Sequence, residues 1–261
     1  MTDADALREG AAQDRPPEPG VPPPTAAPVA GDGKVMSLVD HLTELRNRLF
    51  KCLIAVGVGS VVGLWQSSAI IAALAAPAGG KLLTLGPGDA FAITLRVSLV
   101  TGIVLAMPVL LYQLWAFVAP GLTTAERRTI RPWIPLALVF FAVGVVIAYF
   151  ILPYAMGFLY SFATGTFANL PAAGPYFDFV TTLFLAFGLI MEFPIVLIAL
   201  SRVNIVTSKA LVTSRRYVFL GIVIFATIAT PGGDLVSPTV LAAVMYALFE
   251  LTVLFIRRSG H

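Results

Sequence analysis

Three carboxylates in this sequence stand where their neighbours suggest what they do. Glu192 lies in GLIMEFPIVLIAL, residues 188–200, where it is the one charge in an apolar run. Glu44 lies in SLVDHLTELRNRLFK, residues 37–51, four residues before Arg48. Glu126 lies in FVAPGLTTAERRTIRP, residues 117–132, three residues after Thr123 and directly before Arg127 and Arg128. A carboxylate accepts hydrogen bonds on both oxygens and pairs bidentately with a guanidinium. Each acid can therefore hold a cation or cap a helix. A neutral carboxyl can also donate and accept a hydrogen bond at once.

Local spacing offers a structural reading for two of them. Glu44 and Arg48 have the spacing of an i,i+4 helix pair, which contributes about 0.2–0.5 kcal/mol. Thr123 and Glu126 have the S/T-x-x-E spacing of a capping box that opens a helix. Ser37 and Asp40 make a similar helix start, and Leu38, Leu42, Leu45 and Leu49 line one face of the helix that follows. Glu192 is harder to explain this way. An ionised residue at a bilayer centre costs roughly 2.5–3.5 kcal/mol on insertion scales. It lies about nine residues, or about 13 Å, from the nearer end of its run. Arg96 begins near the other side of the membrane, and Glu250 is near enough to Arg257 to reach the interface beside it. The expectation is that Glu192 faces a polar cavity or a polar group of another protein, with a structural role as the alternative. Asp234, in ATPGGDLVSP, reads as a turn-stabilising acid. An intramembrane aspartyl protease would need a second embedded aspartate, and no span interior holds one.

Several classes are excluded. The single cysteine, Cys52, rules out a disulfide framework and a CxxC site. Two histidines, His41 and His261, leave little for a metal, and neither HExxH nor a Walker A motif occurs. No span holds a histidine that could activate a serine. No enzyme activity, cofactor, metal or nucleic-acid partner is expected.

The elements that must position these acids cross a membrane. The chain has 261 residues, 58% hydrophobic and 12% charged, with mean hydropathy +0.89. Soluble domains carry about 25% charged residues. Apolar stretches run over Leu49–Leu74, Phe91–Val118, Trp133–Leu152, Phe177–Leu200, Tyr217–Thr230 and Pro238–Ile256. The reading is an all-α polytopic membrane protein with six transmembrane helices, the fifth and sixth short. Arg46, Arg48, Lys51, Arg127, Arg128, Arg131, Arg202, Lys209, Arg215, Arg216, Arg257 and Arg258 fall in alternate connections, which places both termini in the cytoplasm. Pro153 is expected to end the third span, with AMGFLYSFA after it as an interfacial segment or a cap over the spans. Residues 1–35, with PPEPGVPPPTAAP, are too rich in proline to fold and read as a disordered tail. The membrane domain is 36–258, and 259–261 form a short cytoplasmic end.

Taken together, HLTELRNRL (41–49), PVLLYQLWAFVAPGLTTAERR (108–128), LAFGLIMEFPIVL (185–197), and the TPGGD turn followed by MYALFEL (245–251) resemble the TatC family, the multi-span receptor of the twin-arginine protein translocase. The match covers nearly everything from Ser37 to Arg258. An extra glycine in the outer turn and Pro238 in place of a polar residue depart from the family pattern. The resemblance implies export of folded proteins across the bacterial inner membrane, driven by the proton-motive force. It makes Glu44 and Glu126 the acids that bind the paired arginines of signal peptides, with Arg46, Phe117, Pro120, Arg127 and Arg128 shaping that surface. It makes Glu192 a contact for the single-span partners TatA and TatB, and Pro77, Phe91 and Asp234 functional at the outer face. A homo-oligomeric receptor complex is implied. The competing reading is a proton-coupled small-solute transporter with Glu192 as proton carrier, which the lack of an internal repeat disfavours.

Overall fold

A computed structural model describes residues 38–162, 171–202, 208–230 and 235–258. The expected tail 1–35, Ser37, Asp234 with its turn, and residues 259–261 lie outside these. The chain divides at His41. Of the first unit only residues 38–41 are described, as a first helical turn. The account below concerns the second unit, Leu42–His261.

The described elements, in order, are α1 (Leu38–Trp65), α2 (Ser67–Ala75) with a 3-10 turn at Ala76–Ala78, α3 (Asp89–Val118) with a 3-10 turn at Ala119–Gly121, α4 (Thr124–Ile130), α5 (Trp133–Ser161), α6 (Ala173–Ile190), α7 (Phe193–Arg202), α8 (Ser208–Thr213), α9 (Arg215–Ala229) and α10 (Val236–Arg258). Among the described residues, five helical stretches are long and apolar enough to cross a membrane: Val39–Trp65, Asp89–Gly121, Thr124–Ser161, Ala173–Ser201 and Val236–Arg258. Of the two spans expected to be short, the fifth corresponds to α9, whose 15 residues reach only about 22 Å against a core of about 30 Å, but the sixth is not short, because the 23 residues of α10 reach about 34 Å.

Two boundaries differ from the sequence reading. The expected first span, Leu49–Leu74, is divided, because α1 stops at Trp65 and α2 begins at Ser67. The break is the single residue Gln66, at φ −98° and ψ 9°, and the Gln66 and Ile70 amides still donate to the Val62 and Gln66 carbonyls at 3.1 Å, so the backbone ladder runs across it. Conversely, Pro153 does not end its helix. α5 runs through it to Ser161, so residues 155–161 of the stretch expected to be interfacial are the last part of α5. Ala148, Leu152 and Ala155 around it are fully buried. Packing of that kind lets a helix keep its course past a missing N–H.

Helices approach closely where side chains are absent. The most extensive helix pair is α5 with α6. There, a Cβ on Gly144 would lie 2.4 Å from the carbonyl oxygen of Phe187. In α3, a Cβ on Gly102 would lie 2.5 Å from the backbone nitrogen of Ser60 in α1. In lipid, where apolar burial drives association weakly, such backbone contact is a main source of helix pairing. Phe177, Phe187, Leu152, Leu183, Leu241 and Phe249 fill the centre.

Cross-helix contacts define two ends. At one, Trp133 at the start of α5 packs edge-on against Phe255 of α10, with ring centroids 5.1 Å apart. At the other, the Tyr176 hydroxyl donates to the Leu74 carbonyl at 2.6 Å. There too the Leu83 amide donates to Pro171 at 3.0 Å, and the Ala173 amide donates to Leu83 at 2.7 Å. We call the first the basic end, because Arg48, Arg127, Arg215 and Arg257 all lie on the elements that meet there.

Candidate functional site

At the basic end, the last turns of α3 carry the elements that hold Glu44 and Glu126. Glu44 faces Arg48 one turn further along α1. Arg48 Nε donates to Glu44 Oε1 at 2.9 Å, and its Nη2 closes on the same oxygen. Arg48 Nη1 then donates to Oε1 of Gln113 in α3 at 3.2 Å. Gln113 is buried, while the two ion-pair side chains are each about one-fifth exposed. The i,i+4 spacing thus gives the pair it suggests, and the pair is fastened to a second helix. Glu44 Oε2 is buried and has no hydrogen-bond partner. A guanidinium on one oxygen and an unused second oxygen are what a carboxylate needs to accept another cationic donor.

Glu126 sits in the capping box that the Thr123 spacing suggests. Its Oε2 accepts from the Thr123 amide at 2.7 Å and from the Thr123 hydroxyl at 2.8 Å, and the Glu126 amide donates to the Thr123 hydroxyl at 3.3 Å. Arg127 turns back, and its Nη2 donates to the Ala119 carbonyl at 2.7 Å. That bond ties α4 to the turn ending α3. Gln113 and Ala119 are six residues apart, about 9 Å along a helix axis. The end of α3 and the turn after it thus form a platform that holds Glu44 through Arg48 and the Glu126 helix through Arg127, and the two acids do not bond each other. Pro120 is exposed on the platform's turn and Phe117 is half-buried beside it. Arg46 on α1 and Arg128 on α4 are exposed.

Glu192 occupies the joint between α6 and α7. Its amide bonds the Leu189 carbonyl at 3.1 Å, and its own carbonyl receives the Val196 amide at 3.1 Å. Pro194, second in α7, has no N–H to give the preceding turn, which opens the break. The side chain is half-buried, and its Oε1 has no partner.

The other charges near span interiors are paired elsewhere. Arg96 of α3 pairs with Asp178 of α6. Glu250 of α10 does not pair with Arg257 in its own helix. It accepts from Nη2 of Arg215 in α9 at 2.7 Å and from the Tyr246 hydroxyl at 3.1 Å. Arg215 heads a neighbouring helix and reaches the carboxylate directly, whereas Arg257 is two turns away, about 10 Å along the axis.

Of the residues expected at the opposite face, Pro77 is half-buried in the 3-10 turn after α2, and Phe91 is 69% exposed in the first turn of α3. Asp234 lies outside the described residues. Gln113, Asp178 and Arg215 escaped the sequence reading as partners. Gln113 was legible as a lone amide in the apolar run PVLLYQLWAF; Asp178, as the acid opening the fourth span.

A family model described as Sec-independent protein translocase protein (TatC) matches residues 40–243. The chain is similar to the Sec-independent protein translocase protein TatC of Carboxydothermus hydrogenoformans, 33% identical over 226 residues, covering 85% of this chain and 93% of that one. It is 36% identical over 228 residues to the TatC of Desulforapulum autotrophicum, covering 85% of this chain and 84% of that one. Its fold is similar to a crystal structure of a twin-arginine translocase receptor, TatC, with TM-score 0.73 and 30% identity, covering 83% of this chain and 99% of that one.

Proposed function

We propose, from the premise that this chain belongs to the TatC family of Sec-independent protein translocase proteins, that Glu44 and Glu126 bind the paired arginines of export signal peptides. The chain is a membrane subunit of a Sec-independent protein translocase. The observation that carries the binding site is the shared platform. Arg48 fastens Glu44 to Gln113, and Arg127 fastens the Glu126 helix to Ala119. Two neighbouring guanidiniums need two separated, fixed carboxylates, and lysine lacks the planar fork that fits them. Arg46, Arg127 and Arg128 around the acids disfavour any ligand that does not bring its own match for each carboxylate. Phe117 and Pro120 shape the floor between them.

The remaining assignments follow the same reading. α9 and α10 pack side by side, with the Phe219 and Tyr246 rings 5.4 Å apart. We read them as the fifth and sixth of six spans: α9 is short and meets a thinned bilayer, whereas the 23 residues of α10 span about 34 Å and need no thinning. Lys and Arg gathered at one end favour both termini in the cytoplasm and the chain in the inner membrane. Residues 36–258 form the membrane domain, preceded by the 1–35 tail. The Oε1 of Glu192, without a partner at a helix break, is an intramembrane foothold for TatA- and TatB-like single-span partners. Pro77, Phe91 and Asp234 act at the outer face, and transport draws on the proton-motive force in a homo-oligomeric receptor complex. Membership of the translocase family takes the place of the solute-transporter reading.

Photo-crosslinkers at Leu114 and Leu122, next to the platform, and at Gly80, at the opposite end, test the site. A twin-arginine signal peptide should crosslink at Leu114 and Leu122 in the intact chain. Crosslinking confined to Gly80 would remove the platform from consideration.

A further inference from the structure

A second charged recess lies at the basic end, between α9 and α10, on elements that the platform does not use. Arg215, Glu250, Leu251, Val253, Leu254 and Arg257 line a cavity of about 460 Å³. Both oxygens of Glu250 are engaged, Oε2 by Arg215 and Oε1 by the Tyr246 hydroxyl. Arg215 has donors to spare, and its Nε is buried with no acceptor. Arg257 lies seven residues after Glu250 on the same helix face, in the last turn of α10. With Glu250 offset by Arg215, the recess keeps the net positive charge of Arg257. Its remaining wall is aliphatic, and Leu251 and Leu254 are 61% and 56% exposed on the outer surface of α10.

We propose that this recess is a binding site for one anionic phospholipid of the leaflet on the Arg257 side. Three features choose that occupant. The phosphodiester supplies acceptor oxygens for the orphaned Arg215 Nε and for the Arg257 guanidinium, and its single negative charge matches the recess. The aliphatic wall beside the arginines suits the upper acyl chain, which a free inorganic anion would leave uncovered. The exposed Leu251 and Leu254 open the recess toward lipid, so the occupant enters sideways from the bilayer. Basic pockets between spans at a membrane surface are recognised headgroup sites.

The test uses the full chain purified in a neutral detergent. Native mass spectrometry reads the occupancy of added phosphatidylglycerol, of phosphatidylcholine and of inorganic phosphate. Phosphatidylglycerol should be retained at one molecule per chain in preference to phosphatidylcholine, and inorganic phosphate should not displace it. Arg257→Gln leaves the Arg215–Glu250 pair intact and should weaken retention about fivefold, the effect of one basic residue near a lipid surface. Leu254→Trp, which fills the aliphatic wall without touching charge, should weaken it also. Arg131→Gln, an arginine at the same end that does not line the recess, should leave it unchanged. The proposal is overturned if the two lipids are retained equally, if Arg131→Gln lowers retention as much as Arg257→Gln, or if phosphate displaces the lipid and Leu254→Trp has no effect. That last pattern would mark a plain anion site.

Discussion

Glu44 has two competing roles, and their magnitudes separate them. If it serves only as the partner of Arg48, an i,i+4 pair contributes about 0.2–0.5 kcal/mol. Its loss would then shift melting by about 1 °C and binding by about twofold or less. If it also receives a ligand guanidinium on Oε2, which is buried without a partner, a charge-assisted bond of about 1.5–3 kcal/mol is at stake. That corresponds to about 10- to 150-fold in affinity. Glu44→Gln keeps an oxygen for Arg48 and so keeps Arg48 on Gln113. It should lower signal-peptide affinity at least about fivefold, the gap between a charged and a neutral acceptor. Glu44→Ala should reach the larger range, with melting within a few degrees of the parent. Arg48→Ala unfastens Glu44 from Gln113 but leaves the carboxylate, so it should cost less peptide affinity than Glu44→Gln. Fluorescence anisotropy of a labelled twin-arginine peptide with the chain in nanodiscs measures all three. Equal losses in Glu44→Gln and Arg48→Ala would show that only the internal pair matters, and the binding role would fall.

Glu126→Gln should preserve the capping box, since glutamine serves at that position, while lowering peptide binding; unchanged binding would leave Glu126 as a cap alone. Glu192→Gln keeps hydrogen bonding and should retain much of the export measured in membrane vesicles, whereas Glu192→Ala should lose partner crosslinking and export but keep peptide binding. If the glutamine variant is as inactive as the alanine variant, the requirement is ionisation and the foothold reading fails. Gly102→Val should destabilise the α1–α3 contact by about 1–3 kcal/mol through overpacking, seen as a lower melting temperature in detergent; an unchanged melt would mean the helices can part there freely. With Cys52 replaced by Ala, single cysteines at Gly80 and Arg131 should label from opposite faces with an impermeant maleimide, and labelling from one face alone would reject the proposed topology.

What the sequence discloses here follows the range of the interaction. Contacts within a helical turn or two are legible, because backbone geometry alone brings the residues together. Glu44–Arg48 at four residues and Thr123–Glu126 at three both form as their spacing suggests. Boundaries decided by burial are less so. Pro153 reads as a stop, yet fully buried neighbours on α5 carry the helix eight residues beyond it. Contacts between spans were the least accessible. Glu250 could be matched by spacing only to Arg257 in its own helix, while its partner, Arg215, lies 35 residues away on another. Arg96 and Asp178 likewise meet only because α3 and α6 pack together. The same rule explains why Glu192 could be singled out from sequence. A charge deep in an apolar run needs a partner from outside its helix. In the folded chain Arg96 and Arg215 pair with Asp178 and Glu250. Folding thus leaves one oxygen of Glu192 without a hydrogen bond at the joint of α6 and α7. On the proposed reading a donor on an incoming helix would satisfy that oxygen, and because one hydrogen bond across helices in lipid contributes only about 0.6–2 kcal/mol, such a contact would be one that can form and dissolve within a transport cycle.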